Sequence, residues 1–387
     1  MTLKISGRSD ISPFIVMDVM RAANARKLAG QDVLHLEVGQ PSTAAPQSVI
    51  ENAKLMLDKD LLGYTDALGT RNLRDCLSNY YKEYHNIEIP SDRIVITTGS
   101  SGAFILSFLT VFEHGDKVGL TSPGYPAYKN ILRAVGVDVI EIPVNANTDF
   151  QLNTEILDNL QVTLDGLIIA SPSNPTGSML SEITLREICN WCATQEVRLI
   201  SDEIYHGITF QTKATSALKY NKGAVVINSF SKYFSMTGWR LGWMIVPEDL
   251  LRTVECLAQN LFISPPTLSQ LAAVSVFDCV DELDAYVERY ARNRSILLEE
   301  LPKAGFGEFA PSDGAFYLYA DVSSLTRDSE VFCSDIMAKT GVAITPGVDF
   351  DTYYGKKFVR LSYAGETSDV LEASNRLKKL FPNSGHQ

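Results

Sequence analysis

The chain has 387 residues, a length typical of two domains or of one large and one small domain. Its 34 basic and 46 acidic side chains give a formal net charge of −12, which argues against nucleic acid or an anionic membrane surface as the main partner. Hydrophobic residues make up 45% of the chain, as in ordinary globular proteins, and no stretch approaches the roughly 18 apolar residues that a membrane span requires.

The first 45 residues are predicted to join a smaller domain rather than the main sheet. Ser12 is suited to cap a helix that Pro13 begins, and Gly30 is suited to end it. A short strand is predicted over 33–38, directly after that helix. No apolar segment typical of a secretory signal precedes the helix, so we expect a cytoplasmic protein.

The segment 46–285 alternates between helical patterns and short runs of apolar, β-branched residues. The predicted strands are 94–97, 118–121, 138–142, 166–170, 198–201 and 225–228. The predicted helices include 49–58, 70–85 and 104–112. Apolar runs that alternate with helices indicate an α/β fold with a mostly parallel sheet covered by helices on both faces. In such sheets ligands bind beyond the carboxyl ends of the strands, so the residues directly after each strand form the candidate site.

The last hundred residues have a different pattern. A charged helix is predicted over 281–301, and strands are predicted near 314–319 and 358–363 with a helix between them. This pattern indicates a smaller α+β domain. We therefore predict a large domain over 46–285 and a small domain over 286–387, which the N-terminal segment joins.

The six cysteines are scattered along the chain, as in a reduced intracellular protein. Cys189 and Cys192 form a CxxC pattern inside a predicted helix over 183–196, which places both on one face. A pair of small buried residues is favoured over redox or zinc chemistry, because no second CxxC or nearby histidine completes a site. We predict no metal site.

Small or polar residues follow three of the predicted strands. After the first strand, glycines and small hydroxyls over 98–103 can cradle an anion at a helix start, although a capped turn explains them equally well. After the fourth strand, a turn rich in proline and glycine brings the Asn174 amide to the ligand edge of the sheet. Asp202 follows the fifth strand, where a buried carboxylate is costly unless paired or functional, but on its own a helix N-cap explains it better.

The segment after the last of these strands carries the strongest chemical signal. Ser229 and Ser231 precede Lys232, and Arg240 follows eight residues later. Serine hydroxyls and an arginine fork are what a phosphate dianion needs, and a lysine can form an imine with an aldehyde. An exposed loop lysine would explain none of these neighbours.

The segment 229–242 resembles the lysine signature of the class I and II aminotransferases, the fold-type-I, aspartate-aminotransferase-like enzymes that use pyridoxal 5'-phosphate (PLP). Further motifs match those of the family in the same order along the chain. They are 38–41, 63–65 with Gly69, 123–126, 173–177, 202–205, 346–347 and 359–362. The lysine motif is specific, whereas the Gly-Pro turns are individually weak. The resemblance implies a seven-stranded type of sheet and a ping-pong transfer of an amino group from an L-amino acid to a 2-oxo acid.

The resemblance assigns the PLP contacts to residues of this chain. Lys232 would be the Schiff-base lysine and would carry the Cα proton, once its surroundings lower its pKa from the usual value of about 10.4. Asp202 would keep the pyridine nitrogen protonated, while Tyr205 and Asn174 would bond the ring oxygen; Lys232, Asp202 and Tyr205 are thus the implied catalytic residues. Tyr125 would stack on the ring. The implied phosphate ligands are Ser100, Ser101, Gly102, Ser229, Ser231 and Arg240.

The same resemblance implies a substrate site and a homodimer. Arg360 would bind the substrate α-carboxylate through two parallel hydrogen bonds, helped by Asn174 and the Gly39 backbone. Phe14, Ile15 and Tyr64 suggest a partly apolar substrate pocket, although ordinary packing also explains them and is favoured for Ile15. No second arginine for a side-chain carboxylate is evident. Tyr64 would reach the phosphate of the neighbouring subunit, so the two active sites would be shared.

Two other functions remain open on the sequence. A PLP-dependent C–S lyase, acting by β or γ elimination, begins with the same proton abstraction, so these motifs do not separate it from a transaminase. A ligand-binding regulator that borrows the fold would need a DNA-binding module, for which the first 45 residues are too short and the net charge has the wrong sign. We therefore expect a transaminase with small-molecule substrates and with neither a nucleic-acid nor a membrane partner.

Overall fold

The computed structural model describes residues 3–382 of the chain. Its helices are α1 (Ile15–Leu28), α2 (Gln47–Lys59), α3 (Arg71–His85), α4 (Gly99–Val111), α5 (Pro126–Val135), α6 (Thr154–Asp158), α7 (Glu182–Thr194), α8 (Leu251–Leu261), α9 (Thr267–Ala273), α10 (Val280–Glu300), α11 (Ser329–Thr340) and α12 (Thr367–Leu380). Its strands are β1 (Leu34–His35), β2 (Ile94–Thr97), β3 (Lys117–Ser122), β4 (Asp138–Pro143), β5 (Gly166–Ala170), β6 (Arg198–Asp202), β7 (Val225–Ser229), β8 (Gly242–Ile245), β9 (Tyr317–Asp321), β10 (Val342–Ala343), β11 (Thr345–Pro346) and β12 (Phe358–Ser362).

The largest sheet has seven strands in the order β2-β8-β7-β6-β5-β3-β4. Only β8 runs antiparallel to its neighbours. Successive residues of a central strand enter different cores: Leu167 and Ile169 pack in one hydrophobic cluster, whereas Ile168 packs in another. A strand buried on both faces needs apolar residues throughout, which explains the continuous apolar runs in the sequence. The predicted α/β fold with a mostly parallel sheet is confirmed.

Three local predictions differ from the structure. Strand β8 was not predicted, because its run of Gly-Trp-Met-Ile follows a turn instead of a helix and therefore lacks the alternation on which the other strands were recognised. The strand predicted over 33–38 is reduced to the two residues of β1. Helix α4 begins at Gly99, five residues before the predicted start, because its first turn is built from glycines and serines of low helix propensity.

Two smaller sheets lie in the C-terminal part of the chain, and one of them includes a strand from the N-terminal segment. Strands β11, β12 and β9 form an antiparallel sheet, and β1 pairs in parallel with β10, with Leu34 opposite Val342. The chain therefore has the smaller α+β unit that was predicted beside the large sheet. The boundaries at 45 and 285 stay a prediction, and helix α10 runs continuously across the second of them.

The start of α1 shows why the predicted Ser12 cap is wrong. The helix begins at Ile15, and its first amide groups are capped from a distant part of the chain. The Asp349 carboxylate accepts hydrogen bonds from the backbone amides of Ile15 and Val16, each at 3.0 Å. A side chain more than 330 positions away thus supplies the acceptor that was expected from Ser12.

The buried CxxC pair packs as expected for apolar residues. Cys189 and Cys192 are both buried on α7, and burial raises the pKa of each thiol to about 12. A thiol with so high a pKa is a poor nucleophile and a poor metal ligand at neutral pH. None of the helices within residues 3–382 has the length and apolar character to cross a bilayer.

Candidate active site

A cavity of about 430 Å³ lies beyond the carboxyl ends of the central strands, where the strand-end argument placed the site. Twelve of the fifteen predicted site residues line it. They are Phe14, Gly39, Ser100, Ser101, Tyr125, Asn174, Asp202, Tyr205, Ser231, Lys232, Arg240 and Arg360. The chain thus brings residues from the N-terminal segment, the large sheet and the C-terminal sheet to one place.

Asp202, the last residue of β6, places a carboxylate in the wall of this cavity. It is 3% exposed, and its oxygens accept hydrogen bonds from the Tyr128 hydroxyl and from the Ile204 amide, the latter at 3.1 Å. Burial raises the pKa of Asp202 to about 6. The hydrogen bonds from these two donors and the positive charge of Lys232 act to lower it, but burial has the larger effect. The carboxylate is therefore ionised at neutral pH and available to hold a cationic N–H group.

Lys232 follows β7 and brings the only primary amine to the cavity wall among the described residues. Its Nζ donates a hydrogen bond of 2.6 Å to the Gly39 carbonyl oxygen. Burial, followed by the positive charge of Arg360, lowers the pKa of Lys232 to about 8, although Asp202 acts in the opposite direction. About a tenth of the amine is then neutral at pH 7, far more than for an ordinary lysine, which suits it to nucleophilic and general-base chemistry.

The first turn of α4 and the Arg240 side chain form a cationic corner of the cavity. Gly99 has a φ of +72°, and a Cβ there would lie 2.5 Å from an Nη of Arg240, so only glycine fits. No side chain caps the helix at Thr98, which leaves its first amides and the hydroxyls of Ser100 and Ser101 at the cavity wall. Free helix amides beside a guanidinium favour an anionic group such as a phosphate.

Three predicted site residues lie outside the cavity lining. Ser229 is buried behind Ser231, and their hydroxyl oxygens are 2.6 Å apart. Gly102 lies in the first turn of α4, where a Cβ would meet the Thr98 hydroxyl at 2.6 Å. Tyr64 is 83% exposed. Ser229 and Gly102 therefore lie behind the cationic corner, while Tyr64 is exposed and does not line this chain's own cavity.

Arg360 is the most deeply buried cation of the site, at 2% exposure. Its guanidinium lies between the rings of Tyr317 and Phe350, at 4.4 and 4.6 Å from their centroids. It donates hydrogen bonds to the Asn174 side-chain oxygen, at 2.9 Å, and to the Glu37 carbonyl oxygen. Its Nε has no hydrogen-bond partner within the described structure. A buried, stacked guanidinium with a free donor is suited to a planar carboxylate.

A pair of tyrosines connects the part of the site on the large sheet with the part on the C-terminal sheet. The hydroxyl oxygens of Tyr205 and Tyr317 are 2.7 Å apart, and both side chains are buried. Gly39 is required beside them, because a Cβ at that position would lie 1.8 Å from the Tyr317 hydroxyl. The Gly39 backbone can thus approach the cavity closely enough for its carbonyl to bond Lys232.

The N-terminal segment supplies an apolar wall to the cavity. The ring of Phe14 packs edge-on against Tyr125, with centroids 5.7 Å apart, and Tyr125 in turn packs against Tyr128. Phe14 directly precedes α1, so the Asp349 cap that begins the helix also fixes this ring.

Replacing Asp349 with alanine is expected to lower the free energy of unfolding by about 1–2 kcal/mol, the usual range for a lost N-cap. Because the change also releases Phe14, the KM for the amino-acid substrate that the resemblance implies should rise. Asp328→Ala is the matched control: Asp328 caps α11 away from the cavity, accepting from the amides of Glu330 and Val331. Urea unfolding should show similar losses for the two variants, whereas an unchanged KM in the Asp349 variant would contradict the coupling.

The sequence did not identify two of the tyrosines that shape the site. Tyr128 lies three residues after Tyr125 on α5, so the helical repeat could have placed it on the same face. The sequence contains no comparable pattern for Tyr317. Strand β9 also carries Tyr319, which is likewise buried, and the alternation of a strand does not tell the two tyrosines apart. Their tertiary contacts distinguish them: Tyr317 packs against Gly39, bonds the Tyr205 hydroxyl and stacks on Arg360.

Comparison with known proteins shows similarity over nearly the whole chain. Residues 31–377 match the family model described as aminotransferase class I and II. The valine–pyruvate aminotransferase of Mycobacterium tuberculosis is 48% identical over 99% of this chain and all of the relative. The (5-formylfuran-3-yl)methyl phosphate transaminase of Methanocaldococcus jannaschii is 32% identical over 95% of this chain and 96% of the relative.

Solved structures have the same architecture. An aminotransferase from Mycobacterium tuberculosis superposes with a TM-score of 0.96 at 48% identity, covering 98% of this chain and all of that one. The aspartate aminotransferase of Thermus thermophilus with maleate gives a TM-score of 0.92 at 26% identity, with the same coverage. The overall fold is therefore common to relatives that differ widely in sequence.

Proposed function

The chain belongs to the aminotransferase class I and II family and is a transaminase, and we propose that it uses PLP to move the amino group of an L-amino acid to a 2-oxo acid by a ping-pong mechanism. The observation that carries this proposal is the presence of Lys232, Asp202 and Arg360 in one cavity. A half-buried amine, a buried carboxylate and a buried guanidinium are costly to place together, and transamination of an amino acid uses all three.

The residues around the cavity fit PLP. The cationic corner at Gly99 and Arg240 is suited to its phosphate, and the Gly99 backbone leaves space only because it has no side chain. Asp202, held by the Tyr128 hydroxyl, is suited to a protonated pyridine nitrogen. Lys232 lines the same cavity with a lowered pKa, as attachment to an aldehyde requires.

When bound, PLP supplies a ring that delocalises the electron pair left on Cα after proton removal. The chain's own residues would do the rest. Arg360 would hold the α-carboxylate and so fix the orientation of the Cα–H bond. The Lys232 amine, with a pKa of about 8, would take the Cα proton, deliver it to the cofactor's aldehyde carbon, and move it the opposite way in the second half-reaction. Asp202 would hold a proton on the pyridine nitrogen throughout.

We propose an apolar donor such as valine, with pyruvate as an acceptor. The 48% identical relative is named for that pair. The described lining includes four apolar residues near the N-terminal segment, Phe14, Val16, Met17 and Val38. Its cations within residues 3–382 are Lys232, Arg240 and Arg360, each of which already has a proposed partner. No further cation of this chain is left there for a side-chain carboxylate.

We also propose that the protein is a homodimer whose two active sites are shared between the subunits, and that it is cytoplasmic. The exposed Tyr64 and the exposed Arg240 are consistent with a neighbouring subunit closing the phosphate site. Sedimentation of the active enzyme tests this, since a fully active monomer would contradict shared sites.

The direct test is an absorbance titration of the PLP-loaded enzyme with single amino acids. Valine alone should convert the absorbance of the aldehyde form to that of the amine form, with one equivalent of 2-oxo acid released, and pyruvate should reverse the change. Aspartate should be less effective than valine by at least about tenfold, since the cavity offers its second carboxylate no cation. Release of pyruvate and ammonia from a cysteine S-conjugate, without conversion by valine, would contradict transamination and favour the lyase.

Tyr128→Phe is expected to move the acid limb of the kcat/KM profile to higher pH by about one to two units. The Tyr128 hydroxyl stabilises the ionised form of Asp202 and so lowers its pKa; without it, the pKa rises above its present value of about 6. Because Asp202 must be ionised to hold the pyridine proton, activity should begin at higher pH. The measurement is kcat/KM against pH, which reports groups of the free enzyme.

Tyr319→Phe is the matched control for this change. The Tyr319 hydroxyl is also buried, but it has no hydrogen-bond partner in the described structure and lies outside the cavity lining. Its removal should leave the acid limb in place. If the acid limb of the kcat/KM profile is also unchanged in the Tyr128 variant, then Tyr128 does not set the charge of Asp202.

A further inference from the structure

A second buried acid lies next to Asp202 but outside the cavity lining. Glu203 is 1% exposed, and its Oε1 accepts three hydrogen bonds, from the hydroxyls of Ser201 and Ser216 and from the Ala217 amide, at 3.0, 3.1 and 2.8 Å. Its other oxygen, Oε2, has no hydrogen-bond partner among the described residues. The nearest basic atom to that oxygen is Nδ1 of His206, at 3.5 Å.

The tautomer of His206 follows from its second ring nitrogen. Nε2 lies 3.0 Å from the Ser171 carbonyl oxygen. A carbonyl oxygen can only accept, so Nε2 must carry the proton and donate it. In a neutral ring Nδ1 is then an acceptor, and it faces Glu203 Oε2, which is an acceptor when ionised. Two buried acceptors in contact are unfavourable unless a proton lies between them.

We infer that Glu203 is protonated on Oε2 and directs this proton towards Nδ1 of a neutral His206, 3.5 Å away, and that the pair is a positioning device for the active site. Through His206 the pair holds the Ser171 carbonyl, while the Ser171 amide donates to the Asp202 carbonyl oxygen at 3.3 Å. Ser171 begins the turn that carries Asn174, the partner of Arg360. The pair therefore ties the substrate-binding turn to the end of the strand that carries Asp202.

The surroundings agree with a neutral pair. The titratable groups around it are Tyr80, Tyr81 and His85 of α3, Cys189 of α7 and Asp202, with Lys213 acting on His85. Burial lowers the pKa of His85 to about 4, so this ring, 5.2 Å from that of His206, is uncharged. Burial also raises the pKa of Glu203 to about 7 and lowers that of His206. Within residues 3–382, no basic group contributes to the pKa of Glu203 in favour of its ionised form.

The proton's location is tested directly by NMR of the enzyme labelled with ¹⁵N-histidine. The chain has five histidines, and His206 is assigned as the signal that disappears in His206→Gln. We expect a neutral ring with the proton on Nε2 at about pH 6.5, below the pKa of Glu203. A doubly protonated ring would mean an ion pair, and a proton on Nδ1 would mean the opposite tautomer; either result overturns the inference.

The thermal midpoint against pH gives an independent test with Glu203→Gln. A glutamine amide accepts through its oxygen and donates through its nitrogen, as a protonated glutamate does. Because the folded pKa of Glu203 is raised above its ordinary value of 4.5, its contribution to stability is complete below that value and is lost as pH rises through about 7. Glu203→Gln cannot ionise, so its midpoint should rise relative to the wild type between about pH 5 and pH 8.

The exposed Glu187 of α7 provides the matched control, since Glu187→Gln should follow the wild type at every pH. A midpoint of Glu203→Gln well below that of the wild type across the whole range would instead indicate a lost ion pair and overturn the inference.

The positioning role is tested by kinetics. Glu203→Leu removes both the acceptor and the proton, leaving buried donors unpaired, and should reduce kcat/KM for the amino acid by about tenfold or more. Glu203→Gln should restore it to within about threefold of the wild type. Equal losses in the two variants, or no loss in Glu203→Leu, would show that the pair does not position the site. The NMR and thermal tests need no turnover, so they stand whatever reaction the enzyme catalyses.

Discussion

Lys232→Ala is expected to abolish turnover while leaving the fold intact. The Lys232 amine lies in the cavity wall, bonds the Gly39 carbonyl at 2.6 Å and has a pKa lowered to about 8. No other primary amine lines the cavity within residues 3–382 to replace it. Loss of a general base alone costs up to about 10⁴-fold in rate, and here the covalent attachment of the cofactor is lost as well. We therefore expect a decrease in kcat of at least about 10³-fold.

Borohydride reduction of the PLP-loaded enzyme, followed by peptide mass analysis, provides a readout that does not depend on turnover. The wild type should carry the cofactor on the peptide that contains Lys232, and the alanine variant should carry none. Lys59→Ala, which removes an exposed lysine at the end of α2, is the control and should retain both attachment and rate. Normal turnover in Lys232→Ala, or attachment at another lysine, would overturn the assignment.

The parts of the fold that could be predicted from the sequence are those that a single local pattern determines. Parallel strands buried on both faces must be apolar throughout, so six strands of the large sheet could be recognised from their composition. Strand β8 escaped because it is reached from a turn and runs antiparallel. Strand β1 is short because its pairing partner, β10, has only two residues and comes some 300 positions later. Pairings of that range are set by tertiary packing and leave no local pattern.

The candidate site could likewise be predicted only where a local rule applies. The rule for α/β sheets brings the residues after neighbouring strands together, which accounts for Asn174, Asp202 and Lys232. The family resemblance added Arg360 and Gly39, whose place beside Lys232 could not be inferred from spacing. Contacts among remote residues were out of reach, including the Asp349 cap on α1, the Tyr128 bond to Asp202 and the Tyr205–Tyr317 pair. Each depends on how side chains from different sheets pack against one another.

Arg360→Lys is expected to reduce kcat/KM for the amino acid by about 10²–10³-fold, mainly through a higher KM, with PLP still bound. The guanidinium spans two acceptors, the Asn174 side chain and the Glu37 carbonyl, while its Nε stays free for a ligand. A lysine can neither span these groups nor stack flat between Tyr317 and Phe350, so it should hold a carboxylate poorly. Removing one partner of a buried, hydrogen-bonded charge pair costs about 2–5 kcal/mol. Because lysine keeps the charge, we expect a loss inside that range, and 10²–10³-fold corresponds to about 2.7–4.1 kcal/mol.

A substrate without the carboxylate isolates this contact. The wild type should prefer valine strongly over isobutylamine, which has the same side chain but no carboxylate, and Arg360→Lys should lose most of that preference. Arg74→Lys is the control, since Arg74 is also buried and donates to a backbone carbonyl, that of Gly69 at 3.2 Å, but lies outside the cavity lining. It should alter stability without changing the preference. If Arg360→Lys released the cofactor and kept the preference for valine, Arg360 would belong to the cofactor site and the carboxylate would be bound elsewhere.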